Sequence, residues 1–139
     1  MVCVVLRLQS ANPGAEALLK QLPRGPEDVS WAHGDLDLQG LPEESSGANL
    51  TLAEEADAAD ALSRARSRWQ ELLPQLQALA KAGFELELDV GLTLGEEQLM
   101  RSMAFDVELL QDLAALPATL RVSAYLACEE SPDSAADPG

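Results

Sequence analysis

Glu85, Glu87 and Asp89 fall at every second position of F-E-L-E-L-D-V-G-L, Phe84 to Leu92, and are the most regularly spaced reactive side chains in this chain. Two carboxylates on one strand face have the reach for acid–base work of the glycosidase kind, and Glu54 with Glu55 offers another pair. A general acid, however, needs burial to hold its proton at neutral pH, and an outward strand face withholds it. Nucleophilic chemistry fares no better. A serine or cysteine nucleophile wants a histidine base, and His33 is the single histidine. It stands beside Gly34 in a turn-forming stretch, with no cysteine or second histidine at metal-ligand spacing. The glycines do not open a helix in a P-loop or GxGxxG frame, and no D-x-[DN]-x-[DN]-G calcium loop occurs. The expectation is a non-enzyme, with no catalytic residues, no metal and no cofactor.

Charge says more than motif. The 139 residues include 24 acids against 9 lysines and arginines, a formal net charge of −15. Such an excess disfavours nucleic acid and anionic membranes and favours a basic protein partner. The competing account is that acidity serves solubility alone, in a small-ligand-binding or structural domain. No Lys or Arg occurs between Arg24 and Arg64, a stretch that includes Asp35, Asp37, Glu43 and Glu44. Arg64 and Arg68 have Asp60 and Glu71 within one helical turn, so these charges pair locally. Glu85, Glu87 and Asp89 have no such neighbours, which predicts a bare acidic face.

The elements that must position these groups follow from periodicity. Val2 to Leu8 reads as a largely buried first strand. Ser10 or Asn12, followed by Pro13, starts a helix of about three turns, with Ala17, Leu18 and Leu22 inward. Two short strand pieces flank a turn at His33-Gly34-Asp35, and a strand from Asn49 to Ala53 follows a loop. From Glu54 to Ala82 the apolar positions Ala58, Leu62, Ala65, Trp69, Leu72, Leu76 and Leu79 alternate by four and three. That spacing is a long helix on a sheet, stopped by Gly83 and kinked at Pro74. Leu99 to Phe105 is ambiguous, and as an exposed edge strand it would allow a homodimer. Asp106 to Leu116 is a helix facing inward through Val107, Leu110, Leu113 and Ala114. Thr119 to Ala127 closes the set as a strand with Leu120, Val122, Ala124 and Leu126 inward.

This order predicts an α+β fold: an antiparallel or mixed sheet of about five strands with a long helix and two shorter ones packed on it. A single domain is expected over 1–128, with 129–139 a disordered acidic tail. The start M-V-C-V-V-L-R-L has no basic leader, so the chain is expected to be cytoplasmic, with Cys3 and Cys128 reduced. No apolar run is long enough to span a bilayer. Trp69 lies on the helical stripe and belongs to the core. Trp31, among acids and turn residues, is the surface anchor.

Trp31-x-x-Gly34-Asp35 after a first strand and short helix, then a long helix before a strand, resembles a small bacterial α+β domain family of unknown function that includes toxin-immunity proteins. Phe105 to Leu126, F-D-V-E-L-L-Q-D-L-A-A-L-P-A-T-L-R-V-S-A-Y-L, is similar to that family's closing helix and strand. The resemblance implies an immunity protein or inhibitor that neutralises a basic bacterial toxin by occlusion, without chemistry of its own. The residues expected to meet the partner are Trp31, Asp35, Asp37, Glu85, Glu87 and Asp89.

Overall fold

The computed structural model describes residues 1–12, 16–23, 25, 28–95 and 102–126. Its centre is the first strand, β1 (Val2–Ser10), which pairs antiparallel on one side with β3 (Ser46–Glu55) and on the other with β4 (Glu85–Leu94). Outside β3 lies the three-residue β2 (Val29–Trp31), antiparallel to it. Outside β4 lies β5 (Thr119–Leu126), which runs parallel to β4. The five-stranded order is therefore β2-β3-β1-β4-β5, a mixed sheet in an α+β fold.

Strand alternation divides the sheet into two unlike faces. Val2, Val4, Leu6 and Leu8 of β1 and Leu86, Leu88, Val90 and Leu92 of β4 all point to one side and are buried. A bulge opposite Val4 and Val5 turns both Leu52 and Ala53 of β3 into that core. The long helix α2 (Ala58–Lys81) covers this face and buries Ala61, Leu62, Ala65, Trp69, Leu72, Leu76 and Leu79. It begins three to four residues later than periodicity suggests, because Asp57 caps it by accepting from the Asp60 N–H. Pro74 lies within the helix on an exposed position, where the missing N–H is least harmful. Gly83 ends it at φ +94°, a left-handed turn that a side chain would strain.

The short helices depart from expectation. Among the described residues α1 spans Glu16–Leu19, and its expected start at Pro13 lies outside them; Leu22 is buried and Leu18 half-buried as expected, but Leu19 is buried too and Ala17 is exposed. In α3 (Val107–Ala115) the buried pair is Leu109 and Leu113, and Val107, Leu110 and Ala114 face out. The sequence V-E-L-L-Q-D-L-A-A offers apolar residues on several sides, and the i, i+4 leucine pair wins the core. Arg66 Nε, 2.8 Å from Asp112 Oδ2, then ties α3 to α2.

Among the described residues the edges of the sheet are β2 and β5. Of the stretch Leu99 to Phe105, ambiguous in sequence, residues 102–105 form no strand, and 99–101 lie outside the described residues. So do Cys128 and the tail 129–139, together with the readings made for them. β5 keeps its alternation in register, Leu120 against Leu88 and Val122 against Val90. Yet only Leu120 is half-buried, and Val122, Ala124 and Leu126 are exposed. No helix among the described residues is long and apolar enough to cross a membrane.

Candidate functional site

Among the described residues the helices lie on one face and leave the opposite face open, and it carries the acids of β4. Position by position, Arg7 of β1 stands across from Glu87 and Val5 across from Asp89, while Arg121 of β5 aligns with Asp89. This register overturns the bare acidic face. Two nitrogens of Arg7 grip one oxygen of Asp89, Nη2 at 3.0 Å and Nε at 3.1 Å. Arg121 Nε donates to Glu87 Oε1 at 3.1 Å, and Arg7 Nε is 3.9 Å from the same oxygen. Asp89 is 7% exposed, and the Ser123 hydroxyl, 3.5 Å away, donates to its second oxygen.

Burial makes Asp89 the fixed point of this chain of charges and Arg7 its adjustable member. Replacing Asp89 by Asn is expected to lower folding stability by about 1–2 kcal/mol, since Arg7 loses its main partner inside a partly shielded site. The half-exposed Arg7 side chain can turn to water, which keeps the loss at that size. Urea unfolding would measure it, and an unchanged midpoint would show the pair to be energetically idle.

Glu85 is the exception on this strand: exposed, with no ion pair to a described residue. It borders a groove of about 320 Å³ that runs across the open face past Arg7, Gln9, Asn49 and Glu87 to Trp31. Trp31 is half-buried rather than projecting. Its ring lies over Gly47, where the Leu8 carbonyl also approaches, and its Nε1 is buried without a hydrogen-bond partner.

Beyond Trp31 the chain leaves the sheet as an arm, residues 32–45. Glu43 N–H donates to the Asp35 carbonyl, Gly34 N–H to the Glu43 carbonyl at 2.9 Å, and Asp37 N–H to the Leu41 carbonyl at 2.8 Å. These bonds fold a small hairpin around the Leu36–Pro42 bridge. Two of the predicted acids build its turns. Asp35 Oδ2 accepts from Ala32 N–H at 2.8 Å, and Asp37 Oδ1 accepts from Gln39 and Leu41 N–H, both at 2.9 Å. The bond from Gln39 makes an Asx turn, which explains the aspartate at 37, whereas Asp35 reaches back to the N–H three residues before it. Neither carboxylate, both on the same arm as Glu43 and the exposed Glu44, has an ion pair to a described residue.

The arm also displays three leucines that the sequence did not mark as part of a site. Leu36, Leu38 and Leu41 are 70%, 102% and 62% exposed. A second, open groove links Val29 and Trp31 to Asp35, Leu36, Asp37 and Leu38. Trp31 thus borders both grooves, with Glu85 and Glu87 on one side and Asp35 and Asp37 on the other. The six predicted residues divide into an arm group and a strand group that meet at one tryptophan. The alternation L-D-L around Asp37 was the available signal for the leucines, but a strand reading turned one row of it inward.

Among the described residues, no group of three or more His, Cys, Asp or Glu side chains has the geometry to hold a metal ion. No family model matches the chain, and neither the curated proteins nor the solved structures contain a match to it.

Proposed function

We propose that this chain is a binding protein of the inhibitor or immunity type, which neutralises a basic protein, a bacterial toxin, by covering it. The observation that carries the reading is the arm: exposed leucines interleaved with acids, in a stretch from Arg24 to Arg64 that lacks Lys and Arg. Field and apolar contact then come from the same element. Asp35, Asp37 and Glu85 with Glu43 and Glu44 steer the partner, and Leu38 with the exposed edge of Trp31 supplies contact that holds it. Glu87 and Asp89 act through Arg7 and Arg121, keeping the open face flat and in register beneath the docked partner.

The test begins with capture of the partner from the native cell and measurement of its association rate at low and high ionic strength. Asn at Asp35 and Asp37 retains the acceptor oxygen that each turn needs, so those substitutions with Glu43→Gln and Glu44→Gln remove charge and keep the arm. The fourfold variant is expected to associate about tenfold more slowly at low salt, with most of the salt dependence gone. A wild-type rate that does not change with salt would overturn the steering. A partner whose own activity survives saturation would overturn the inhibitor reading.

A further inference from the structure

The two edges of the sheet are guarded very differently. β2 is three residues long, and Asp28 just before it covers the next stretch of edge by accepting from Thr51 N–H at 2.9 Å. The acidic arm follows directly. Short length and flanking charge are the usual means of stopping a sheet edge from pairing with another chain. β5 is without the first of these, and the acids that flank it, Glu129 and Glu130, lie beyond its end. It is eight residues long, T-L-R-V-S-A-Y-L, with no acid in a chain of net charge −15, and its one charge, Arg121, is already held by Glu87. Val122, Tyr125 and Leu126 are 48%, 57% and 78% exposed, and α3 leaves Val107 and Leu110 exposed as well.

We propose that β5 is a self-association edge, pairing antiparallel with β5 of a second copy to join the two sheets into one, with Ser123 on the two-fold axis. Charge and pattern select a second copy. A basic partner is drawn to the acids of the arm, not to the acid-free edge, while two β5 strands meet without any acid facing another. With Ser123 opposite its own copy, Arg121 faces Tyr125 of the other chain, a guanidinium beside an aromatic ring. The same register sets Leu120 against Leu126 and Val122 against Ala124, so every residue from 120 to 126 has a partner of matching character. The two arginines stand roughly 13 Å apart along the strands, four residues at strand rise. A shift by one residue either way breaks the Arg–Tyr match.

Sedimentation equilibrium of the full chain between about 1 and 100 µM reads the association directly, because micromolar affinity falls in that range. The expected result is a species of twice the 14.8 kDa chain mass. Val122→Lys places a charge at a half-exposed position, leaves the circular dichroism unchanged and is expected to weaken the dimer more than tenfold. Ser123→Cys, in a chain with Cys3→Ser and Cys128→Ser, is expected to cross-link into a disulfide dimer under mild oxidation, since facing residues on paired strands come within bridging range. A monomer at every concentration overturns the proposal, whether the edge is covered by the chain's own C-terminal segment or reserved for a different protein. A dimer that survives Val122→Lys overturns the edge, and a dimer of the Ser123→Cys variant that fails to cross-link overturns the register.

Discussion

Replacing Trp69 by alanine is expected to remove about 3–5 kcal/mol of folding stability, a large share of what a domain of this size possesses. Trp69 is 1% exposed and stands at the middle of the α2 stripe, between Ala65 and Leu72, which are equally buried. The lost volume is the largest that any buried side chain here can vacate. The flanking leucines are fixed by helix spacing, so the site cannot collapse to fill it. Trp69→Phe separates the contributions. The Trp69 Nε1 is buried without a hydrogen-bond partner, so phenylalanine deletes an unsatisfied donor while keeping a ring. The expected loss is then less than half that of the alanine variant. Urea unfolding of both proteins measures this. An alanine variant within about 1 kcal/mol of wild type would show that the core is not centred on α2.

Replacing Gly47 by alanine adds one methyl group and is expected to cost about 2–3 kcal/mol. Gly47 sits in β3 opposite Gln9 and Trp31 at once. A Cβ there would run into the Leu8 carbonyl oxygen and into the six-membered ring of Trp31. The carbonyl belongs to the β1–β3 ladder and has little room to move, so the ring must lift. That makes the substitution a handle on the candidate site as well as on stability. In a Trp69→Phe background, Trp31 is the remaining tryptophan, and its emission reports directly on its surroundings. Gly47→Ala should shift that emission to the red and unlock the corner shared by the two grooves. Unchanged emission with unchanged stability would mean that the ring is not clamped.

What could be read from the sequence depended on how many times a pattern was sampled. The α2 stripe repeats over seven apolar positions, and all but the half-buried Ala58 are in the core. β4 alternates long enough to fix both its faces, and its bounds move by only one residue at the start and two at the end. α3 samples its period barely twice in a segment rich in leucine and alanine, so of the four residues assigned inward only Leu113 is buried, and Leu109 was missed. The strand acids show a second limit. Arg7 and Asp89 are separated by 82 positions, and only the pairing of β1 with β4 makes them neighbours. A search for counter-charges within a helical turn cannot find that. The exposed face of β5 was hidden for a similar reason. Alternation tells which residues share a side of a sheet, but whether a helix reaches far enough to cover them depends on lengths set elsewhere.

The central position of β1 also bears on how the protein is made. Within this chain, the strand made before its neighbours is the one flanked on both sides in the finished sheet, and its partners are β3, about 45 residues on, and β4, about 85. Val2, Val4, Leu6 and Leu8 therefore wait for a first partner until β3 is made, and for the second until more than half of the chain is synthesised. At ordinary elongation rates that is several seconds, a long time for a strand with two open edges. Of the described strands β5 is made last, and it joins β4 in parallel at the side of the sheet away from β1. Slower translation through residues 10–55 lengthens the time this apolar row spends before its first partner is made.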